Sequence, residues 1–271
     1  VIKKRMGFVD LTFEIEEGKK IFIDRINIIG NLKTVDKVIR RELELVDGDP
    51  FNSVKLRQSE RNINNTALFD SVEIKLDEST DANKATVEVE VKEKATGQFS
   101  VGGGFSSLDG AIGNVAIKES NLFGEAKELS LALGISTRRQ EIDLSYTNPY
   151  FLDKDVAAGI DVFNVRRNNK RYSGYKHNIL GFRLRSGYEI VDDLRHFSSY
   201  TLKRDKIHDI SNTTSRYIQD QEGKRVTSII GQAIQYSTLN DRINPTEGLR
   251  VRLDLDYYGL IGDSEHFQTE L

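Results

Sequence analysis

The chain has 271 residues, with 39 Lys and Arg against 42 Asp and Glu, for a formal net charge of −3. That balance excludes a nucleic-acid binder built on a basic stripe, and a hydrophobic content of 38% excludes an acidic disordered tail. No run approaches the roughly 18 apolar residues of a membrane-spanning helix. Mean hydropathy is −0.47, which still accommodates a barrel, where only alternate residues face lipid.

Cysteine is absent, so disulfides, thiolate metal sites and cysteine nucleophiles are excluded. The opening residues, Val1 to Gly7, are basic but lead into no apolar h-region, so they do not read as a secretory signal. They run into Phe8-Val9-Asp10-Leu11-Thr12-Phe13-Glu14-Ile15, which alternates like a strand. A chain that opens inside a strand reads as a fragment of something longer.

Up to about Lys94 strand and helix patterns are mixed. Ile21 to Ile29 is a β-branched run that stops at the turn signal Gly30-Asn31. Thr34 is placed to cap a helix with Val35, Val38, Ile39 and Leu43 on one stripe. Asp47-Gly48-Asp49-Pro50 breaks it. A second helix is expected from Asn52 or Ser53, with Leu56, Ile63 and Ala67 on one face, ending before Phe69. Val72, Ile74 and Leu76, then Val87, Val89 and Val91, alternate with polar residues across the polar loop 77–84. The order is β-α-α-β-β, a small α+β domain over residues 21–95 whose helices cover one face of a three-stranded sheet. Leu11, Phe13, Ile15 and Glu17 share the spacing of Val87, Val89, Val91 and Glu93, so residues 1–20 are expected to hold the last strand of a preceding copy.

From Gln98 onward the period is two. Leu129, Leu131, Leu133 and Ile135 alternate with small or polar residues, as do Phe182, Leu184, Tyr188 and Ile190. Leu249, Val251, Leu253, Leu255 and Tyr257 are set against Arg250, Arg252, Asp254 and Asp256. A soluble β-sandwich would also alternate. Runs of nine or more residues favour tilted barrel strands. Short connections at 152–155 and 191–193 against long polar ones at 168–174 and 211–224 favour a barrel too. So do aromatics near strand ends: Tyr146, Tyr150 and Phe151, and Tyr257 and Tyr258. Phe163 and Ile229 fall on the wrong face of their runs, and residues 195–204 alternate poorly.

No catalytic, cofactor or metal site emerges. Gly102-Gly103-Gly104 lacks both the dinucleotide register and a following Lys-Ser/Thr pair, and no helix follows it. Inside a strand, a glycine triplet removes side-chain packing and costs backbone entropy; a barrel bend or close packing against another segment is the alternative reading. His177, His196, His208 and His266 have no ligand spacing and are expected to be exposed or lumenal. Asp254 and Asp256 share a face with Arg250 and Arg252, which points to charge compensation rather than acid/base chemistry. The chain is not expected to be an enzyme.

Several segments in order resemble a known family. They are Arg25 to Asn31, Val38 to Leu43, Gly48 to Asn52, Leu68 to Val72, Gly102 to Ser106, Asn121 to Gly124, Tyr146 to Phe151 and Asp241 to Gly248. Together they resemble BamA, the outer-membrane β-barrel assembly factor family of Gram-negative bacteria, over essentially the whole chain. Two of the family's features are not found: the Arg-Gly-Phe/Tyr loop motif late in the barrel and the aromatic-ended final strand.

The resemblance implies an α+β POTRA domain (β-α-α-β-β) followed by an antiparallel transmembrane β-barrel, incomplete in this chain. Residues 21–95 would form the membrane-proximal POTRA domain, and 96–271 the N-terminal portion of the barrel, with about nine or ten strands. It further implies outer-membrane location with the POTRA domain in the periplasm. Its partners would be unfolded outer-membrane protein precursors, accessory assembly lipoproteins and outer-membrane lipid, with no nucleic acid and no cofactor. The first barrel strand, with Phe99, Val101, Gly102, Gly103, Gly104 and Phe105, would pair with the incoming strand by β-augmentation. The alternatives are a transporter of the same superfamily that exports a soluble partner, a porin-like passive channel, and a soluble sandwich.

Overall fold

The computed structural model describes residues 2–5, 8–11, 20–78, 83–239, 245–262 and 266–270, with backbone pairing alone for 2–5, 8–11 and 266–270. It divides into one unit of residues 1–31 and 39–93 and another of residues 32–38 and 94–271.

In the first unit, β1 (Ile2–Arg5) and β2 (Phe8–Leu11) form an antiparallel pair. Residues 12–19, which carry the rest of the expected terminal strand, lie outside the described residues. β3 (Phe22–Ile29), β4 (Phe69–Glu78) and β5 (Lys84–Glu93) form a three-stranded sheet in the order β3-β5-β4. β3 runs parallel to β5 and β4 antiparallel to it.

Alternation along β5 turns Ala85, Val87, Val89 and Val91 to one face, where each is at most 3% exposed. Ile39 and Ile63, also fully buried, come from α1 (Asp36–Arg40) and α2 (Ser53–Asn65). Each of these valines and isoleucines contributes about 1.5–3 kcal/mol by leaving water. Gly30 ends β3 at φ +89°, and a Cβ there would collide with the Val91 carbonyl oxygen. Only glycine meets both demands.

α1 is shorter than the apolar stripe predicts. It ends at Arg40, and Leu43 lies beyond it in a turn closed by Glu42 N–H to Ile39 O and Leu43 N–H to Arg40 O. The chain bends there because Leu45, not Leu43, is driven into the core, at 3% exposure. The bend also presents Asp47, whose Oδ1 accepts the Ile26 N–H at 2.9 Å. α2 starts where the sequence places it: Asn52 Oδ1 accepts from Val54 N and Lys55 N. Ser59 on α2 is also buried, accepting the Glu44 N–H at 2.8 Å.

The second unit is one antiparallel sheet of ten strands in chain order. They are β6 (Gly97–Ser106), β7 (Gly110–Leu122), β8 (Lys127–Ser136), β9 (Arg139–Asn148) and β10 (Val156–Asn168), then β11 (Lys176–Val191), β12 (Leu194–His208), β13 (Gly223–Ser237), β14 (Arg250–Gly262) and β15 (His266–Glu270).

The pairing register fixes which residues share a face. Leu131, Leu144, Val162, Phe182 and Leu202 stand in one cross-strand row, and Ala132, Asp143, Phe163, Gly181 and Lys203 in the next. The first set marks an outer face of bare apolar side chains. Ile142, Leu184, Tyr188, Ile234 and Leu255 are all exposed on it, with no second layer among the described residues covering them. So wide an uncovered apolar face belongs against lipid.

Connection lengths follow the predicted asymmetry only in part. Residues 169–175, with α3 (Lys170–Ser173), and 209–222, with α4 (Arg216–Gln219), are long and lie at one end, the loop end. Two-residue and three-residue turns also occur there, at 137–138 and 107–109. The opposite end has a two-residue turn at 192–193 and a four-residue turn at 123–126, but also the twelve-residue connection 238–249.

Candidate functional site

β6 is one edge of the ten-stranded sheet and pairs only with β7 among the described residues. In an antiparallel edge strand every second residue turns its N–H and C=O away from its neighbour, leaving them unpaired. The predicted residues all lie on this strand. Phe99, Val101 and Phe105 project onto the outer face at 70%, 67% and 83% exposure. Gly102, Gly103 and Gly104 face Asn114, Gly113 and Ile112 of β7.

Nothing lies within 4 Å of a Cβ added at Gly102 or Gly104, and at Gly103 only the Ile112 carbonyl oxygen, at 3.5 Å. The triplet is therefore not there to admit a close neighbour among the described residues. Its effect is on β6 itself: three consecutive positions without cross-strand side-chain pairs and with full backbone freedom.

The inner face carries paired charges of both signs. Asp161 sits between Ser145 of β9 and Arg185 of β11. It accepts from Ser145 Oγ at 2.7 Å, from Arg185 Nε at 2.7 Å and from Arg185 Nη2 at 2.8 Å. Arg252 reaches Asp254 at 2.8 Å and lies 4.9 Å from the Phe197 ring centroid. Arg185, Arg252 and Asp254 line a concavity of about 330 Å³ that also touches Thr147, Ser199 and Asp256. Such mutual compensation bears out the charge-balance reading for Arg252 and Asp254.

Phe163 and Ile229, which break the sequence pattern, belong to this inner face. Phe163 lies over Gly181 on β11, where an added Cβ would come within 2.6 Å of the ring. The apparent fault is an aromatic filling the space that glycine leaves open. Tyr257 and Tyr258 lie in the middle of β14, opposite Ile230 and Ile229, not at its end. At the end opposite the loop end, the outer face carries Tyr146, Tyr188 and Tyr236. His196 and His208 are neither lumenal nor fully exposed: they stand half-buried on the outer face, and His196 contacts Tyr188 with ring centroids 5.2 Å apart.

Nothing in the sequence assigns a role to Asn121-Leu122-Phe123-Gly124. In the structure, Asn121 is 2% exposed and donates from Nδ2 to Thr34 Oγ1 at 2.8 Å, while its Oδ1 accepts the Ala126 N–H at 2.8 Å. Gly124, at φ +76°, accepts the Val35 N–H at 3.0 Å, and a Cβ on it would collide with the Lys33 carbonyl oxygen. The partners are separated by 87 positions, so no local signal could have found them.

A family model described as the Omp85 superfamily domain matches residues 121–271, and one described as a surface antigen variable number repeat, POTRA, matches residues 21–94. Among curated relatives, the outer membrane protein assembly factor BamA of Neorickettsia risticii is 32% identical over 264 residues, covering 97% of this chain and 36% of that protein. BamA of Nitratidesulfovibrio vulgaris is 30% identical over 240 residues, covering 89% and 30%. The chain thus spans about a third of the length of these relatives.

Among solved structures, BamA from Haemophilus ducreyi lacking POTRA domains 1–3 superposes with a TM-score of 0.73 at 21% identity, covering 94% of this chain and 51% of that one. CdiB from Acinetobacter baumannii gives 0.59 at 17%, covering 92% and 47%. These two likenesses concern the fold. An open ten-stranded sheet, greasy outside and charged inside, preceded by a β-α-α-β-β domain, is thus the POTRA-plus-partial-barrel arrangement of an outer-membrane protein, and the chain belongs to the Omp85 superfamily.

Proposed function

We propose that the protein takes part in outer-membrane protein assembly, and that it works as a template for strand addition rather than as an enzyme. The observation that carries this reading is the open edge of β6, ten residues long with three glycines in a row. An incoming strand would add to that edge through main-chain hydrogen bonds, which demand little of its side chains. Each such bond contributes a net of about 0.5–1.5 kcal/mol, so several suffice to hold a strand reversibly. The glycines weaken whatever strand closes against β6, and exchange at the seam then costs less.

In this reading the POTRA domain, residues 21–95, lies in the periplasm and receives unfolded barrel precursors. Residues 1–20 supply the last strand of a preceding POTRA domain, residues 96–271 begin the barrel, and accessory lipoproteins are the further partners. Support comes from the relatives, whose names describe them as assembly factors.

The test uses the full-length protein reconstituted in bilayers with an unfolded barrel substrate. Gly103→Val is expected to slow substrate insertion several-fold while the protein's own heat-dependent mobility shift is unchanged, because the added side chain meets no close neighbour. Unchanged insertion kinetics would count against strand templating. Release of substrate into solution across the bilayer would favour the exporter reading.

A further inference from the structure

We propose that the outer face of β10–β13, at its loop end, binds the phosphate headgroups of lipids in the leaflet on that side. This rests on the outer-membrane reading of the sheet and adds a site, a leaflet and a headgroup chemistry to it.

The register of the four strands assigns every outward position. At the loop end these are Asn164, Arg166 and Asn168 on β10, Lys176 and Asn178 on β11, Arg204, Lys206 and His208 on β12, and Lys224 and Val226 on β13. None is acidic. At the other end of the same face stand Val156, Tyr188, Leu194, His196, Ile234 and Tyr236, without a lysine or arginine. A cationic end that served only solubility would have no reason to be confined to one leaflet.

The cations begin where the apolar band stops. Along β12 the outward positions run Leu194, His196, Ser198, Tyr200 and Leu202 before Arg204. Ten strand steps from Leu194 to Arg204, tilted as barrel strands are, rise about 25 Å, the height of the apolar band of an outer-membrane barrel. Arg204 therefore enters at headgroup level, with Lys206 and Lys224 just beyond, and long side chains reach outward from there.

Among the described residues Arg166, Arg204, Lys206 and Lys224 form no ion pair, whereas Lys176 is held by Asp209 at 2.8 Å. Asp205, next to Arg204 in sequence, turns inward to His177 at 3.0 Å. Lys206 and Lys224 are direct cross-strand partners. Like charges in that position repel, and a shared anion relieves the repulsion. Opposite Cβ atoms lie about 5 Å apart and diagonal ones about 7–8 Å, so Arg204, Lys206 and Lys224 form a triangle that one phosphate can bridge. Arginine and lysine are the side chains that bind phosphate through charge-assisted hydrogen bonds.

The experiment folds the full-length protein into nanodiscs of phosphatidylcholine containing a minority of phosphatidic acid and measures the retained lipids by native mass spectrometry. A single cation near an anionic surface corresponds to about fivefold in lipid affinity. Phosphatidic acid is therefore expected to be enriched at least about fivefold over its bulk share. The triple variant Arg204→Gln, Lys206→Gln, Lys224→Gln should return it to the bulk share, and the control Lys154→Gln should leave the enrichment intact. Enrichment that survives the triple variant, or none in the parent protein, overturns the assignment while leaving the barrel reading in place. Displacement by an equal concentration of inorganic phosphate would make this a soluble-anion site and overturn the lipid assignment. Failure of the protein to enter bilayers at all would sink both readings, and it would be visible separately as loss of the heat-dependent mobility shift.

Discussion

Arg185 holds Asp161 across the β10–β11 pair through two parallel hydrogen bonds, Nε to Oδ2 and Nη2 to Oδ1, and the same Nη2 reaches Ser145 Oγ and Thr147 Oγ1, each at 3.0 Å. One guanidinium thus ties three consecutive strands on the inner face. Removing the carboxylate leaves that cation half-buried without its anion. Asp161→Ala is expected to lower stability by about 1–2 kcal/mol, at the low end for a charged network because Arg185 is about a third exposed. The check is the temperature at which the folded band is lost in detergent. Gly159→Ala, whose Cβ would stand 3.0 Å from Arg185 Nη2, should act on the same network. The two changes are therefore expected to be non-additive in a double-mutant cycle.

The turn at residues 123–126 depends on two positions. Gly124→Ala forces a left-handed backbone and a collision with the Lys33 carbonyl, an expected loss of about 1–3 kcal/mol. Asn121→Ala strands the Ala126 N–H and removes the donor to Thr34 Oγ1, costing about 1–3 kcal/mol as well. Amide exchange of residues 121–126 in the full chain should accelerate in both variants. Exchange at parent rates would show that the turn is held by something else.

Asn52 caps α2 with two hydrogen bonds, to Val54 N–H at 2.9 Å and Lys55 N–H at 3.2 Å. Asn52→Ala should cost about 1 kcal/mol, and Asn52→Asp much less, since either capping oxygen serves. The loss is expected in exchange protection of the first turn of α2, with the ten-stranded sheet unaffected.

Asp209, in the connection after β12, is held at about 2 by hydrogen bonds from Lys170 and then Lys176, with their positive charges adding to the effect. A carboxyl depressed in the fold favours the folded loop above its ordinary value of 3.8. That contribution fades as pH falls towards about 2. Carbon-13 NMR of the aspartate carboxyls should show Asp209 titrating near 2, and near its ordinary value once both lysines are changed to methionine. A parent titration near 4 would mean that the two contacts do not persist in solution.

The parts of this molecule that were legible in sequence are those where one residue's environment repeats at a fixed interval. Leu249, Val251, Leu253 and Leu255 announce a strand with two unlike faces, because lipid and a wet interior select opposite chemistries at alternate positions. Asn52 announces a helix start because its partners are two and three residues away. What stayed hidden depends on register. Phe163 looked misplaced until Gly181 was found opposite it. Leu43 looked like core until Leu45 took that place. The edge at β6 was legible as a glycine-rich strand, but its openness is a property of strand order, and its outer-face Phe99 and Phe105 acquire meaning only there. The basic end of the outer face is spread over three strands as isolated Arg166, Arg204, Lys206 and Lys224, and pairing alone gathers them.

Every interior strand of the large sheet pairs with its predecessor and successor in the chain. Such a succession of hairpins needs only loops of at most fourteen residues to be closed, one at a time, and the entropy lost per step is small. The sheet could therefore grow from either end as material becomes available, each new hairpin finding its register against the last. Closing a ring is the one step that joins sequence-distant strands, so it would be the slow and late event in the protein's own birth.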